Sequence, residues 1–546
     1  MTQDLPATQH AIQFVGPDQV VLNPAKAMYE LGPRQVLLKT EAVGICFSDT
    51  KLLHAFTTHP RKAKVLGGLS AAELAEIPSY HPDAEPTVPG HEPVGRIVAV
   101  GSDVRHHALG ERVLVQTDYR HLPTASSNAA FGYNFEGALQ EYVVLDERVI
   151  LDPDTGERFL IPVSEGPSAS AVALIEPWAC VEAAYAWGER QTLKAGGRLL
   201  VVADAVGGVD ELRAASEPGS ITVVGAAGVP GATVAASLAE IEGTFDDIIY
   251  VGADAEVVEA LGARLGFGAV MDVVLAGGAF DRPVKIDVGR VHYDLIRYTG
   301  TADSNAAAGY ARIPARCELR DGERIAIVGA AGPMGLMHTV RTAVSGVPGI
   351  SMDAVDVDDA RLAHLAAVVA PVAEAQGVPA SFRNSTTEPL EAGYSYVAAM
   401  VPAPFLITQA VDLASEGAIV NAFAGFAIGT MAELDLTAIA SKGIYLVGTS
   451  GSRIQDMKTM LAKVEEGSLD TNVSLWAVTG LAGVADGIAA VNNRTSGGKI
   501  MVYPSLPDLG LVKLEDLPEH LPTVAAALVD GRWTKAAERA LLAAQD

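Results

Sequence analysis

Residues 323–335 read Glu323-Arg324-Ile325-Ala326-Ile327-Val328-Gly329-Ala330-Ala331-Gly332-Pro333-Met334-Gly335, and the chain continues Leu336-Met337-His338-Thr339-Val340-Arg341. A short apolar run ending in a glycine cluster predicts a buried strand and a turn, and the segment after it predicts a helix. Glycines here permit a tight turn and let the backbone approach a pyrophosphate at the helix N-terminus. The spacing, G-x-x-G-x-x-G, is one residue longer at the front than the common dinucleotide fingerprint. The next apolar run, Ile350-Ser351-Met352-Asp353-Ala354-Val355-Asp356, ends in an acid about 20 residues on. Asp356 is placed to accept hydrogen bonds from an adenosine ribose and to repel a 2′-phosphate, which favours NAD over NADP. The expected dinucleotide contacts are Gly329, Gly332, Pro333, Met334, Gly335 and Asp356.

Outward from this loop, residues from about 190 to 455 alternate apolar strands with Ala-rich helices, the pattern of a parallel α/β sheet. The pattern occurs twice. Phe245–Val251, Ala269–Gly277, Ile286–Val288 and Ile296–Thr301 are followed later by Tyr394–Met400, Ala418–Gly425, Leu434–Leu436 and Ile444–Thr449. A second glycine loop, Gly225-Ala226-Ala227-Gly228-Val229-Pro230-Gly231, reads locally as another nucleotide site with Asp254 as its acid. Read through the repeat, it falls at a third-strand position, and Arg198–Val202 is the first strand of its unit. The first unit then lacks an intact pyrophosphate loop and serves structure or assembly. Residues 10–150 differ, with short strands such as Gln35–Lys39, Arg96–Gly101 and Glu111–Val115 that suggest a small β-barrel-like domain.

That β-rich region carries Val43-Gly44-Ile45-Cys46-Phe47-Ser48-Asp49 and Val88-Pro89-Gly90-His91-Glu92-Pro93-Val94-Gly95. A thiolate, an imidazole and a carboxylate beside tight-turning glycines suit Zn²⁺ with one position open for substrate. Ala171-Val172-Ala173-Leu174-Ile175-Glu176-Pro177 adds a carboxylate at the end of an apolar element, where a buried charge needs a cation or hydrogen-bond partner. The expected metal set is Cys46, His91, Glu92 and Glu176.

Composition bounds the rest. The 546 residues suggest three or four domains, and 49% apolar residues supply several cores. A net charge of −27 without a basic stripe argues against nucleic-acid binding. Three scattered cysteines, Cys46, Cys180 and Cys317, form no disulfide framework and point to a reducing compartment. The start lacks the pattern of a signal peptide, and the longest uncharged stretch, from Pro218 to Ala239, is broken by Gly and Pro. A cytoplasmic protein without membrane or nucleic-acid partners is expected, acting on a small molecule.

These residues together resemble the zinc-dependent medium-chain alcohol and polyol dehydrogenases. The matching pieces are G-I-C-F-S-D, P-G-H-E-P-V-G, G-E-R-V, G-A-L-Q-E-Y-V-V (137–144), E-P-W-A-C (176–180), the loop at 329–335 and Gly498–Pro504. G-A-A-G-P-M-G-L-M-H and the tail with Gly531-Arg532-Trp533-Thr534 look most like the L-sorbose-1-phosphate reductase branch. The resemblance implies an α/β plus β fold with a GroES-like zinc domain over 1–190, and the first Rossmann-like unit expected over 191–315 is the largest departure from the family. An NAD-binding Rossmann unit over 316–455 and a C-terminal return over 456–546 complete it. It implies one catalytic zinc on Cys46, His91 and Glu92 with Glu176 beside it, Ser48 as proton relay, and Asp49 orienting the histidine. The four-cysteine structural zinc loop is absent from the sequence. Where many members place a relay histidine the chain has Thr50-Lys51, so Lys51 and His54 are the candidates for carrying the proton onward.

The expected reaction is reversible, NAD-linked oxidation of a secondary alcohol of a sugar, polyol or cyclitol, with or without a phosphate, by a homo-oligomer (dimer or tetramer). Redox-neutral chemistry, an epimerase or lyase that oxidises its substrate transiently on tightly held NAD, uses the same residues. A cationic loop with His59, Arg61, Lys62, Lys64 and His81 is expected to overhang the metal and suit an anionic or hydroxyl-rich substrate.

Overall fold

The computed structural model describes residues 5–544. They divide into two compact units, residues 5–179 with 452–544, and residues 180–451. The expected boundaries near 190 and 455 lie close to these crossings. The expected boundary at 315 falls inside the second unit, where one sheet runs through. Among the described residues, no helix is long and apolar enough to cross a membrane.

The first unit is organised around the strand Gln35–Ile45, whose Val, Leu and Ile side chains are buried almost throughout. Its neighbours in an eight-stranded sheet are Glu92–Val100, Tyr142–Asp146 and, on its other side, Lys499–Val502. β-branched and aromatic residues from these strands and from the segment around Phe131–Phe135 make one continuous apolar core. The late chain matters to the site. Leu475–Thr479 and Lys499–Val502 pair in parallel, and the latter lies antiparallel to Gln35–Ile45 with Ile500 opposite Ile45. Lys499 is thereby set beside the end of the strand that delivers Cys46.

The second unit is one twelve-stranded sheet. One half contains, in chain order, Arg198–Val202, Ser220–Val224, Thr233–Ala235, Phe245–Val251, Leu265–Val274 and Arg297–Thr301. The other contains Arg324–Val328, Ser351–Asp356, Ala380–Asn384, Tyr394–Ala399, Ala414–Asn421 and Tyr445–Val447. Each half has the spatial order third, second, first, fourth, fifth, sixth, with its strands parallel, and the sixth strands meet antiparallel. The loop Gly225–Gly231 follows the second strand of its half, not the third-strand position expected. Thr233–Ala235 is three residues long, too short for periodicity to reveal it.

Candidate active site

The thiol, imidazole and carboxylate come together at the end of Gln35–Ile45. Cys46 caps the helix Phe47–His54, and its N–H donates to Asp49 Oδ2 at 2.9 Å. The other Asp49 oxygen accepts from His91 Nδ1 at 3.2 Å. An Nδ1–H donated to Asp49 turns Nε2 toward the site. Ser48 Oγ lies 3.0 Å from Nε2. Gly90, at φ +94°, turns the chain into His91; a Cβ there would meet Leu139 N at 2.9 Å.

Glu92 follows on the adjoining strand, its side chain lying against Gly44, where a Cβ would stand 2.1 Å from Glu92 Oε2. The buried ammonium of Lys499 donates to Glu92 Oε1 at 2.6 Å and to Ile45 O at 2.9 Å. Burial works against the Lys499 charge, but Glu92, Cys46 and Glu176 outweigh it and hold the group well above its ordinary range. Glu92 Oε2 is buried and accepts no hydrogen bond. One ligand atom each from Cys46, His91 and Glu92 lies within 4.8 Å of the others. An unsatisfied carboxylate oxygen beside a thiol and an imidazole is the donor set a zinc ion takes.

Glu176 sits in the first turn of the helix Ile175–Ala186 and is outside that three-residue cluster. Burial pushes its carboxyl up to about 7; His91 and Lys499 oppose the rise and Glu92 adds to it. A carboxyl raised in the folded state binds its proton more tightly there than when unfolded. Its favourable contribution is therefore lost as pH rises from about 4.5, the ordinary value, through about 7. Chelator-treated protein is expected to melt at a lower temperature at pH 8 than at pH 5.5, and Glu176→Gln should flatten that difference in a thermal scan. An unchanged slope in the variant would assign the effect to another group.

Two relay candidates remain, His54 and Lys51. His54 is exposed, with Nδ1 on Asp18 and Nε2 3.0 Å from Asn492 Oδ1. Lys51 Nζ lies 5.4 Å from the centre of the Phe47 ring. A residue not singled out from sequence is closer: buried Tyr133 has its ring centre 5.6 Å from that of His91, and burial pushes its hydroxyl up. The His59 ring lies 5.0 Å from Tyr133, and burial, with Arg61 and Lys51, pushes it down to about 4, so it is neutral at pH 7.

The expected cationic overhang is not one cluster. Lys62 is fully buried and donates to the carbonyls of His81 and Glu85; Lys64 pairs with Asp83; His81 lies between Tyr29, Glu85 and Glu136. Arg61 reaches Tyr133 but is bound to Asp118 at 2.7 Å. Only His59 and Arg61 of the five stand beside the Tyr133 ring, so the expectation that this loop gathers charge for an anion is corrected.

In the second unit, the strand Arg324–Val328 leads through Gly329–Gly332 into the helix Pro333–Ala343. Gly335 packs where a Cβ would meet Gly329 O at 2.3 Å, so helix and turn approach as closely as glycine allows. Gly332 caps the helix without a side chain, Pro333 has no N–H to lose, and Met334 is half-buried in the first turn. Asp356, at the end of the adjacent strand, accepts from Ala331 N at 3.0 Å and Val357 N at 2.9 Å. The acid and the glycine turn are thus tied together, and a carboxylate retains lone pairs for two ribose hydroxyls.

Residues 32–154 match the alcohol dehydrogenase GroES-like domain. The chain is 33% identical over 136 residues to an uncharacterised zinc-type alcohol dehydrogenase-like protein, YphC, of Escherichia coli, a match covering 22% of this chain and 34% of that protein. It is 28% identical over 208 residues to a putative D-xylulose reductase of Agrobacterium fabrum, covering 38% and 46%. The matches thus span less than half the length of these relatives. The fold resembles that of 2R,3R-butanediol dehydrogenase from Bacillus subtilis, at a TM-score of 0.51 and 15% identity, over 91% of this chain and all of that one. Residues 32–154 are therefore similar to an alcohol dehydrogenase GroES-like domain.

Proposed function

We propose that the chain is a zinc-dependent, NAD-linked dehydrogenase that oxidises a secondary alcohol of a polyhydroxylated compound. The observation that carries the reading is the Cys46–His91–Glu92 set, a half-buried thiol beside a buried imidazole and a buried carboxylate, with its unsatisfied Glu92 oxygen. The donors fit one zinc, and Asp356 with the Gly329–Gly335 turn fits NAD. When bound, zinc supplies a Lewis acid that favours the alkoxide form of a substrate hydroxyl, and NAD supplies the acceptor of hydride from the same carbon.

The side chains divide the remaining work. Asp49 holds His91 in the tautomer whose Nε2 is a ligand. Lys499 fixes one Glu92 oxygen and leaves the other for the metal. Ser48 Oγ takes the substrate hydroxyl proton, and Tyr133, packed against His91 beside it, is the next station. His59, neutral at pH 7, flanks the Tyr133 ring and gives a sugar or polyol a polar partner without a fixed charge. The similarity to a protein named as a D-xylulose reductase supports the same substrate class.

Asp356→Ala is expected to weaken NADH binding about 10- to 100-fold by removing charge-assisted ribose hydrogen bonds, and to narrow the preference over NADPH. Fluorescence titration with both nucleotides measures this. If Asp254→Ala abolished binding and Asp356→Ala did nothing, the wrong half of the sheet has been assigned. Substrate is tested by following NADH with aliphatic alcohols, polyols, cyclitols and their phosphates. Turnover of polyols supports the reading; strong turnover of ethanol with none of any polyol contradicts it.

A further inference from the structure

The two halves of the twelve-stranded sheet are joined as two copies of one unit would be. In a two-fold contact, residue i meets j while the counterpart of j meets the counterpart of i, and a residue on the axis meets its own counterpart. Asp287 and Asp435 each cap the helix that follows a short strand, Val284–Asp287 or Met431–Leu434. This aligns Val284 with Ala432, Lys285 with Glu433 and Ile286 with Leu434. The observed antiparallel register pairs Val284 with Leu434, Lys285 with Glu433 and Ile286 with Ala432, as a two-fold axis through Lys285 and Glu433 requires. The sixth strands obey the same rule. Tyr298 and Leu446 are each the third residue of the repeated runs Ile296–Thr301 and Ile444–Thr449, and they face each other. The junction is apolar and closed, with Val284, Ile286, Val291, Leu434, Ile439 and Leu446 buried in one core.

The halves are not interchangeable. Matched from the ends of their first strands, Arg198–Val202 and Arg324–Val328, the first half has Ala203, Val206 and Val209 at the places of Gly329, Gly332 and Gly335. Val202 stands opposite Val224 and Val328 opposite Val355, so the counterpart of Asp356 is Gly225. Asp210 and Glu211 occupy the first turn of the following helix and line a cavity of about 310 Å³ there, where their charge repels a pyrophosphate. The axis itself carries Lys285 opposite Glu433. Two second halves would set Glu433 against Glu433, and two first halves Lys285 against Lys285; like charges directly opposite destabilise an antiparallel pair.

We propose that residues 198–301 are a resident pseudo-subunit. They take the place a second copy of the nucleotide-binding unit would occupy, close the sixth-strand edge of residues 324–447 within the same chain, and bind no dinucleotide. Self-association of the chain must then use another surface. The last clause of the proposal rests on the NAD reading above; the junction does not.

Hydrogen exchange of the full chain, read by mass spectrometry at widely separated protein concentrations and with and without NADH, tests both parts. Protection of 284–301 and 431–447 is expected to be independent of concentration, because the junction lies within one chain. NADH should add protection at 329–335 and next to Asp356, and none at 203–209 or 225–231. Junction protection that falls on dilution would overturn the proposal by showing a contact between chains. NADH-dependent protection at 203–209 would overturn it by giving the first half a nucleotide site. NADH protection of neither half would defeat the NAD reading, while the dilution series still decides the junction.

Discussion

Cys46→Ala is expected to lose its zinc and its dehydrogenase activity together. The thiolate is the one soft ligand in the set, and the remaining imidazole and carboxylate leave a weaker, wetter site. Losing the Lewis acid removes several kcal/mol of stabilisation of the developing alkoxide; about 4 kcal/mol corresponds to about a thousandfold in rate. Elemental analysis beside initial rates of NADH formation measures both. Folding should survive, since Cys46 lies at the surface end of a strand and its helix cap is completed by Asp49. A variant that kept both metal and activity would remove the basis of the assignment. A wild-type chain with two zincs would show a structural metal site that the three cysteines do not provide for.

Lys499→Met is expected to destabilise the first unit by about 3–5 kcal/mol in chelated protein, because it strands the fully buried Glu92 carboxylate without its cation. Adding Glu92→Gln to it should recover much of that loss, since an uncharged amide needs no countercharge. Zinc should also reduce the loss in the single variant, because the metal replaces the missing positive charge. Urea unfolding of the three proteins, with chelator and with zinc, separates these effects. A single variant as stable as the parent without zinc would mean that Glu92 is neutral or reaches water, and the picture of a charged ligand held by Lys499 would fail.

Lys499 also marks where sequence reading stops. Cys46, Ser48 and Asp49 lie within one helical turn, and His91 and Glu92 adjoin, so a local motif could name them. The partner of Glu92 is 407 residues away and arrives only because Lys499–Val502 pairs with Gln35–Ile45. Tyr133 was invisible for the same reason: its nearness to Ser48 depends on the packing of a loop with no periodicity of its own. The glycine turn at 329–335 was legible because strand, turn and helix signals follow each other directly. The repeat was legible too, but not the antiparallel meeting of Tyr298 with Leu446, which depends on register. The cationic loop misled because composition counts charges without showing that the Lys62 ammonium turns inward to two carbonyls.

The most direct test of the central claim is zinc K-edge X-ray absorption of the full chain loaded with one equivalent of zinc. The Cys46–His91–Glu92 site should give one sulfur at about 2.3 Å and nitrogen or oxygen neighbours at about 2.0–2.2 Å, four ligands in all. The sulfur signal should vanish in Cys46→Ala. A shell without sulfur, or one unchanged by that substitution, would place the metal elsewhere and contradict the account.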